Sequence, residues 1–269
     1  MIHLRQGKEL EAMRQAGRTA AEVLRLTAAE VKPGRSTADI DRFAADLIRE
    51  RGCTSAFLGY RKFPGHICIS LNDEVVHGIG RASRLIREGD IVKIDVGIFQ
   101  DGWVGDNAVT VPVGELSDDT WRLLQATEDA LDAAIALARH NGSLRDLCGS
   151  VEKLVTRRGF SVVRQFVGHG VGRRLHEEPQ VPNWADPGIR TKLKAGMILA
   201  IEPMINAGRG KTRTLADNWT AVTVDGKPSA HFEHTVLVTH GEPEILTPRA
   251  RLTEPAGMDA VAASPGVLA

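Results

Sequence analysis

The chain predicts an α+β fold in two related halves, and two features carry that expectation. The order long helix, glycine turn, capped helix, glycine stop, then strands occurs twice. Gly142-Ser143-Leu144-Arg145-Asp146 echoes Gly34-Arg35-Ser36-Thr37-Ala38-Asp39, and Arg157-Arg158-Gly159 echoes Arg49-Glu50-Arg51-Gly52. Coincidence between two generic helix pairs is the competing reading. The second feature is Asp-Gly between apolar runs, at Asp101-Gly102 and Asp225-Gly226, which signals hairpins and so antiparallel pairing. The halves run about 1–114 and 115–252 and form a single catalytic domain rather than two independent ones.

Residues 8–31 place Leu10, Met13, Ala16, Ala20, Val23 and Leu24 at helical spacing, and Lys32-Pro33-Gly34 ends that helix. Ser36-Thr37-Ala38-Asp39 reads as a capping box with Asp in place of Glu or Gln, opening a helix that runs to about Glu50. Residues 53–80 are turn-rich, with strands expected at Ile67–Leu71 and Glu74–His77. A hairpin over 91–106 turns at Gln100-Asp101-Gly102. After the break at Pro112-Val113-Gly114, Ser117-Asp118-Asp119 starts a long helix with Leu123, Leu124, Ala130, Leu131 and Ala134 on its apolar face. Beyond the second helix pair, strands are expected at Val162–Val167, Met197–Ile201, Trp219–Val224 and Ala230–Val238. The last two form a hairpin across Asp225-Gly226-Lys227-Pro228. Residues 253–269, rich in Ala, Pro and Gly, read as a loosely ordered tail.

Composition narrows the class. The chain has 269 residues, with 42% hydrophobic and 25% charged, ordinary for a soluble globular protein. Lys+Arg and Asp+Glu balance at 34 each, which argues against a general nucleic-acid or membrane-surface binder. Cys53, Cys68 and Cys148 include no CxxC pair, so a reducing cytoplasm fits better than a disulfide framework. The residues Met1-Ile2-His3-Leu4-Arg5-Gln6 do not resemble a signal peptide. No apolar run reaches the ~20 residues of a bilayer span.

The chemistry lies in charges that stand where apolar residues are expected. Asp95 sits inside an apolar strand, where an ionised carboxylate is costly unless something positive meets it. Asp106 lies across the turn, roughly opposite. Two like charges at close range invite a cation, although exposed strand-end aspartates are the plain alternative. His169 lies in Gly168-His169-Gly170-Val171-Gly172, where glycines allow a tight turn. A phosphate loop is the weaker alternative, because such a cradle needs a helix N-terminus. A lone histidine would be structural, and His176 nearby strengthens the case for a site. Glu202 ends the apolar run 197–201. Glu233 lies in the strand 230–238 and shares a face with His231 and Thr235 by alternation. Either glutamate alone could pair with an arginine. Four carboxylates and a histidine together exceed the three protein ligands of a catalytic zinc. They suit two divalent ions able to hold a hydroxide and polarise a carbonyl, with Mn, Fe, Co or Zn favoured by oxygen-rich ligation. The implied chemistry is hydrolysis.

The order Asp95, Asp106, His169, Glu202, Glu233 resembles the dinuclear metal set of the methionine aminopeptidases, type I and bacterial-style, and their pita-bread relatives. Supporting phrases are Asn72-Asp73-Glu74-Val75-Val76-His77-Gly78-Ile79, Gly168–Gly172, His176-Glu177-Glu178-Pro179, Ile201-Glu202-Pro203-Met204 and Phe232-Glu233-His234-Thr235, and the resemblance spans about residues 3–247. It implies a curved antiparallel sheet backed by helices, in two pseudo-symmetric halves. It implies removal of the initiator methionine from nascent polypeptides when the second residue is small, by a hydroxide bridging the two ions. Asp95 would bind one ion through both oxygens, Asp106 and Glu233 would bridge, and His169 and Glu202 would complete the second. His77 and His176 would hydrogen-bond the scissile peptide and stabilise the tetrahedral intermediate, with Glu202 as proton shuttle. The free α-amino group would bind at the metal centre. Tyr60, Phe63, Cys68, Leu175 and Trp219 would build the methionine pocket. The expected enzyme is a cytoplasmic monomer in transient contact with the ribosome, binding no specific nucleic-acid sequence and no membrane. Three departures from the family pattern stand out: Gly80 for a proline, Asn107 for a small hydroxyl residue, and His231 for a frequent glutamine. Two other readings compete. One is a proline-specific relative, although those are usually longer; the other is a pita-bread binding protein that has lost catalysis.

Overall fold

The computed structural model describes residues 1–252, so the tail expected at 253–269 lies outside the described residues. Four helices appear where the periodicity places them: α1 (Gly7–Ala29), α2 (Thr37–Glu50), α3 (Asp118–Ile135) and α4 (Leu144–Arg157). The caps explain the starts. Ser36 Oγ accepts the Asp39 N–H at 3.1 Å while the Asp39 carboxylate accepts the Ser36 N–H at 3.3 Å. Ser143 Oγ accepts the Asp146 N–H at the start of α4. α2 and α4 are both 14 residues long, and α1 and α3 each pack their apolar faces on the strands of their own half. The two pseudo-symmetric halves are thus visible in element order, length and capping.

The strands pair antiparallel throughout. In the first half, Ile91–Gln100 and Trp103–Pro112 form the hairpin, flanked by Cys68–Leu71 and Thr54–Ser55. In the second half, Ile198–Ile201 lies between His234–Leu237 and Gly168–Gly170. α1 comes close to the hairpin because Gly105 has no side chain: a Cβ there would strike the Ala16 carbonyl oxygen.

Hydrogen bonds at alternate residues help to stitch the halves together. Thr235 Oγ1 donates to the Asp106 carbonyl at 2.7 Å. The Glu233 N–H donates to the Ala108 carbonyl at 3.0 Å. Thr110 Oγ1 donates to the His231 carbonyl at 2.7 Å. Residues 106, 108 and 110 therefore run antiparallel to 235, 233 and 231.

Four expectations need correction. Asp95 and Asp106 are not directly opposite: the turn registers Gln100 with Trp103, so Asp95 faces Ala108 and Asp106 faces Gly97. The two aspartates are diagonal neighbours on one face. The strand over 162–167 shrinks to Ser161–Val162, because beyond it the Gln165 side chain pairs with the Thr212 backbone. Ala230–Val238 is not one strand but two, Ser229–His231 and His234–Leu237, pairing with Met204–Asn206 and Ile198–Ile201. Finally, Ala221–Thr223 and Ser229–His231 are not hairpin partners. Glu74–Val76 takes the edge of Ala221–Thr223 that a hairpin would need.

Candidate active site

Glu202 and Glu233 enter the site through paired breaks in two neighbouring strands. Pro203 has no N–H to continue the ladder, and the pairing resumes at Met204. Opposite it, the second strand breaks at Phe232-Glu233, and Glu233 turns to Ala108 of the other half. His169 comes from Gly168–Gly170, where a Cβ at Gly168 would strike the Ala200 carbonyl oxygen and one at Gly170 the Glu178 carbonyl oxygen. His169 Nδ1 lies 3.0 Å from the Gly170 carbonyl. A carbonyl only accepts, so Nδ1 carries the proton and Nε2 keeps its lone pair.

That free nitrogen faces carboxylates: 3.8 Å from Asp106 Oδ2 and 3.5 Å from Glu202 Oε1. Atoms of Asp106, His169 and Glu233 lie within 4.8 Å of one another. Asp95 and Glu202 line the same cavity, of about 320 Å³, outside that tight group. Burial raises the Asp95, Glu202 and Glu233 pKa values, reinforced by neighbouring carboxylates, and burial pushes Asp106 up to about 7. Among the described residues no lysine or arginine forms an ion pair with any of the four. Asp95 Oδ1 and Glu233 Oε1 are buried without a hydrogen-bond partner. Hard oxygen donors and one imidazole, crowded together without counter-charge, fit a divalent cation.

His77 and His176 both line the cavity. His77 has φ +60°, held by its neighbour: Gly78 donates to Ser70 Oγ at 2.9 Å. Burial, with the His176 charge second, lowers its pKa to about 4. The His176 ring stacks on Tyr60 at 5.2 Å and lies 4.2 Å from the His169 ring. Its loop is fastened by Glu177, whose carboxylate accepts from Arg5 and from the Arg173 and Arg174 N–H groups.

Tyr60, Phe63, Cys68, Leu175 and Trp219 all line the cavity, with Phe63 edge-on to Trp219 at 5.1 Å. Sequence reasoning missed Phe57, Val76, Arg61, Phe166 and Met204 in the same lining. Val76 and Met204 are apolar residues in apolar strands, and Phe57, Arg61 and Phe166 lie outside the strands, so none carries a signal of what it faces. Of the three departures, His231 is buried with Nε2 3.4 Å from Glu202 Oε2. Gly80 is tight, its Cβ position 3.0 Å from the Thr37 carbonyl oxygen. Asn107 is fully buried with both amide atoms unpaired, and nothing in the structure explains it.

The sequence pattern of metallopeptidase family M24 matches residues 11–240. The chain belongs to this family. Within M24, it is 46% identical over 247 residues to methionine aminopeptidase 1 of Bacillus subtilis (strain 168), covering 92% of this chain and 99% of that one. A crystal structure of methionine aminopeptidase from Thermotoga maritima superposes with a TM-score of 0.89 at 41% identity, covering 92% of this chain and 99% of that chain. An Xaa-Pro dipeptidase from Bacillus anthracis superposes at 0.76 with 20% identity, covering 93% of this chain and 63% of that one, which shows a shared fold. This M24 chain has the pita-bread architecture and is a metallopeptidase of the methionine aminopeptidase type. M24 membership carries divalent-metal dependence and a peptide substrate with it. No helix among the described residues is long and apolar enough to cross a membrane.

Proposed function

We propose that this chain removes the N-terminal methionine from polypeptides whose second residue is small, with two divalent ions held by Asp95, Asp106, His169, Glu202 and Glu233. The observation that carries the proposal is a set of buried carboxylates without counter-charge beside an apolar wall. Only Asp106, His169 and Glu233 form a tight group, with Asp95 and Glu202 lining the same cavity; a donor set this large would suit two ions rather than one. When bound, the ions supply Lewis-acid polarisation and a nucleophile at neutral pH. Mn, Fe, Co and Zn fit the donors. Burial and the surrounding carboxylates push the Cys68 thiol up, so it stays protonated and lines the pocket instead of ligating.

The remaining steps fall to side chains. The substrate's free α-amino group would be received at the metal centre that the five donors hold, which would restrict the enzyme to chain ends. Tyr60, Phe63, Cys68, Leu175 and Trp219 hold the methionine side chain. His77, kept neutral by burial, and His176 donate hydrogen bonds to the oxygen on which charge develops. Glu202 takes the proton of the attacking water and delivers it to the leaving amine. Residues 1–252 act as a single catalytic unit of two halves. The enzyme works as a cytoplasmic monomer on nascent chains, in transient contact with the ribosome.

The test is methionine release from Met-Ala and Met-Gly peptides by metal-loaded protein, with X-Pro peptides alongside. Release abolished by a chelator is expected. Cleavage of X-Pro but not Met-Ala peptides would establish the proline-specific reading, and no release with any of the four metals the binding-protein reading.

A further inference from the structure

The turn Gly59–Phe63 holds an arginine at the exposed rim of the cavity in an unusual way. Arg61 has φ +46° and ψ +30°, and Lys62 follows with φ +72°. Two successive residues with side chains in the left-handed region are costly. The turn is fixed by its own backbone: Gly59 N–H to the Phe63 carbonyl at 2.8 Å, Lys62 N–H to the Gly59 carbonyl at 3.0 Å, Phe63 N–H to the Tyr60 carbonyl at 2.8 Å. Strain of this kind collects where a ligand is clamped.

The fixed turn places the Arg61 guanidinium 5.5 Å over the Tyr60 ring, and Tyr60 stacks in turn on His176. Arg61 lines the cavity, and no carboxylate, carbonyl or hydroxyl among the described residues pairs with it. Arg173, in the loop that carries His176, is by contrast engaged by Glu9 and the Trp103 ring. The proposed metal-binding residues line the cavity, and the substrate's amine goes to the centre they hold. Everything after the scissile bond must leave past the exposed rim, where Arg61 and His176 stand.

We infer that Arg61 is a specificity-determining residue that receives a carboxylate of the substrate downstream of the scissile bond, from an acidic side chain or from the C-terminus of a short peptide. This rests on the methionine-release reading above. A planar guanidinium supported by an aromatic face suits a carboxylate, which it can bind through two parallel hydrogen bonds. A lysine or arginine at the same substrate positions meets like charge.

The experiment uses metal-loaded protein and three C-terminally amidated peptides: Met-Ala-Glu-Glu-Ser, Met-Ala-Ser-Ser-Ser and Met-Ala-Lys-Lys-Ser, with kcat and KM separated. At low salt KM should rise in that order by about two- to fivefold per step, with kcat nearly constant. The spread should collapse in about 0.5 M salt. R61E should reverse the order, and R61K should keep it in weakened form. Comparing Met-Ala-Ser as free acid and as amide separates the two carboxylate sources: a lower KM for the free acid that R61E abolishes adds the C-terminus. Equal KM values in the wild type, or an order that survives R61E, overturn the role of Arg61. Failure to release methionine from the neutral peptide overturns the underlying reading instead, and the inference with it.

Discussion

Glu202 has an imidazole at each oxygen, His169 at Oε1 and His231 at Oε2. A carboxylate so placed can pass a proton without swinging away, which suits it to the shuttle role. Glu202→Gln keeps the size and removes the proton acceptor, so kcat should fall by about 10²–10⁴ with little change in Tm. Near-normal turnover would remove Glu202 from the mechanism. The four candidate carboxylates were legible because a carboxylate in an apolar strand is an anomaly visible in one dimension, and His169 stood out by its flanking glycines. His231 was legible only as a neighbour of Glu233 by alternation. Its contact is with Glu202, because the strand breaks between them. Lys93 gave no signal at all. It is fully buried, its ammonium donates to the Asn72 carbonyl at 2.7 Å, and burial lowers its pKa to about 7. A lysine in a strand reads as a solvent-facing position until the opposite layer is known.

Among the elements, the contact of α1 with the hairpin has little room to give. A Cβ on Gly105 would meet the Ala16 carbonyl and stand 2.8 Å from the Ala20 methyl. Backbone cannot step aside as a flexible side chain can. Gly105→Ala should cost about 1–3 kcal/mol in denaturant unfolding, whereas Gly241→Ala, with nothing within 4 Å, should be near neutral. Equal effects at the two positions would show that the helix shifts freely. The helices were readable to within a residue or two because periodicity and caps are local, as Ser36 and Asp39 illustrate. The breaks at Glu202-Pro203 and Phe232-Glu233 were not, because a partner strand imposes them. That is also why Asp225-Gly226 was misread: its turn is real, but Glu74–Val76 occupies the edge that its second strand would need.

Across the whole molecule, the charge crowd sets how stability answers to pH. Without metal, Asp95, Asp106, Glu202 and Glu233 all have pKa values raised by burial. A raised carboxyl pKa means the folded state holds its proton more tightly than the unfolded chain. That stability is present at pH values below the unfolded carboxyl pKa and is lost as pH rises through the folded values, about 7 for Asp106. Metal-free protein should therefore lose Tm between pH 5 and pH 8. Metal at about a hundredfold over its Kd should restore roughly 3 kcal/mol, or about 5–10 °C, with the larger gain at pH 8. A chelator effect independent of pH would sink this account. The antiparallel stitch between 106–110 and 231–235 has one more consequence, for synthesis. The polypeptide emerges with Asp95 and Asp106 first and Glu233 near the end. Any fragment that stops before Glu233 carries an acidic pair with an incomplete set of partners. On the proposed ligand assignment, ion capture needs Glu233, and a copy that ends before it should be inert.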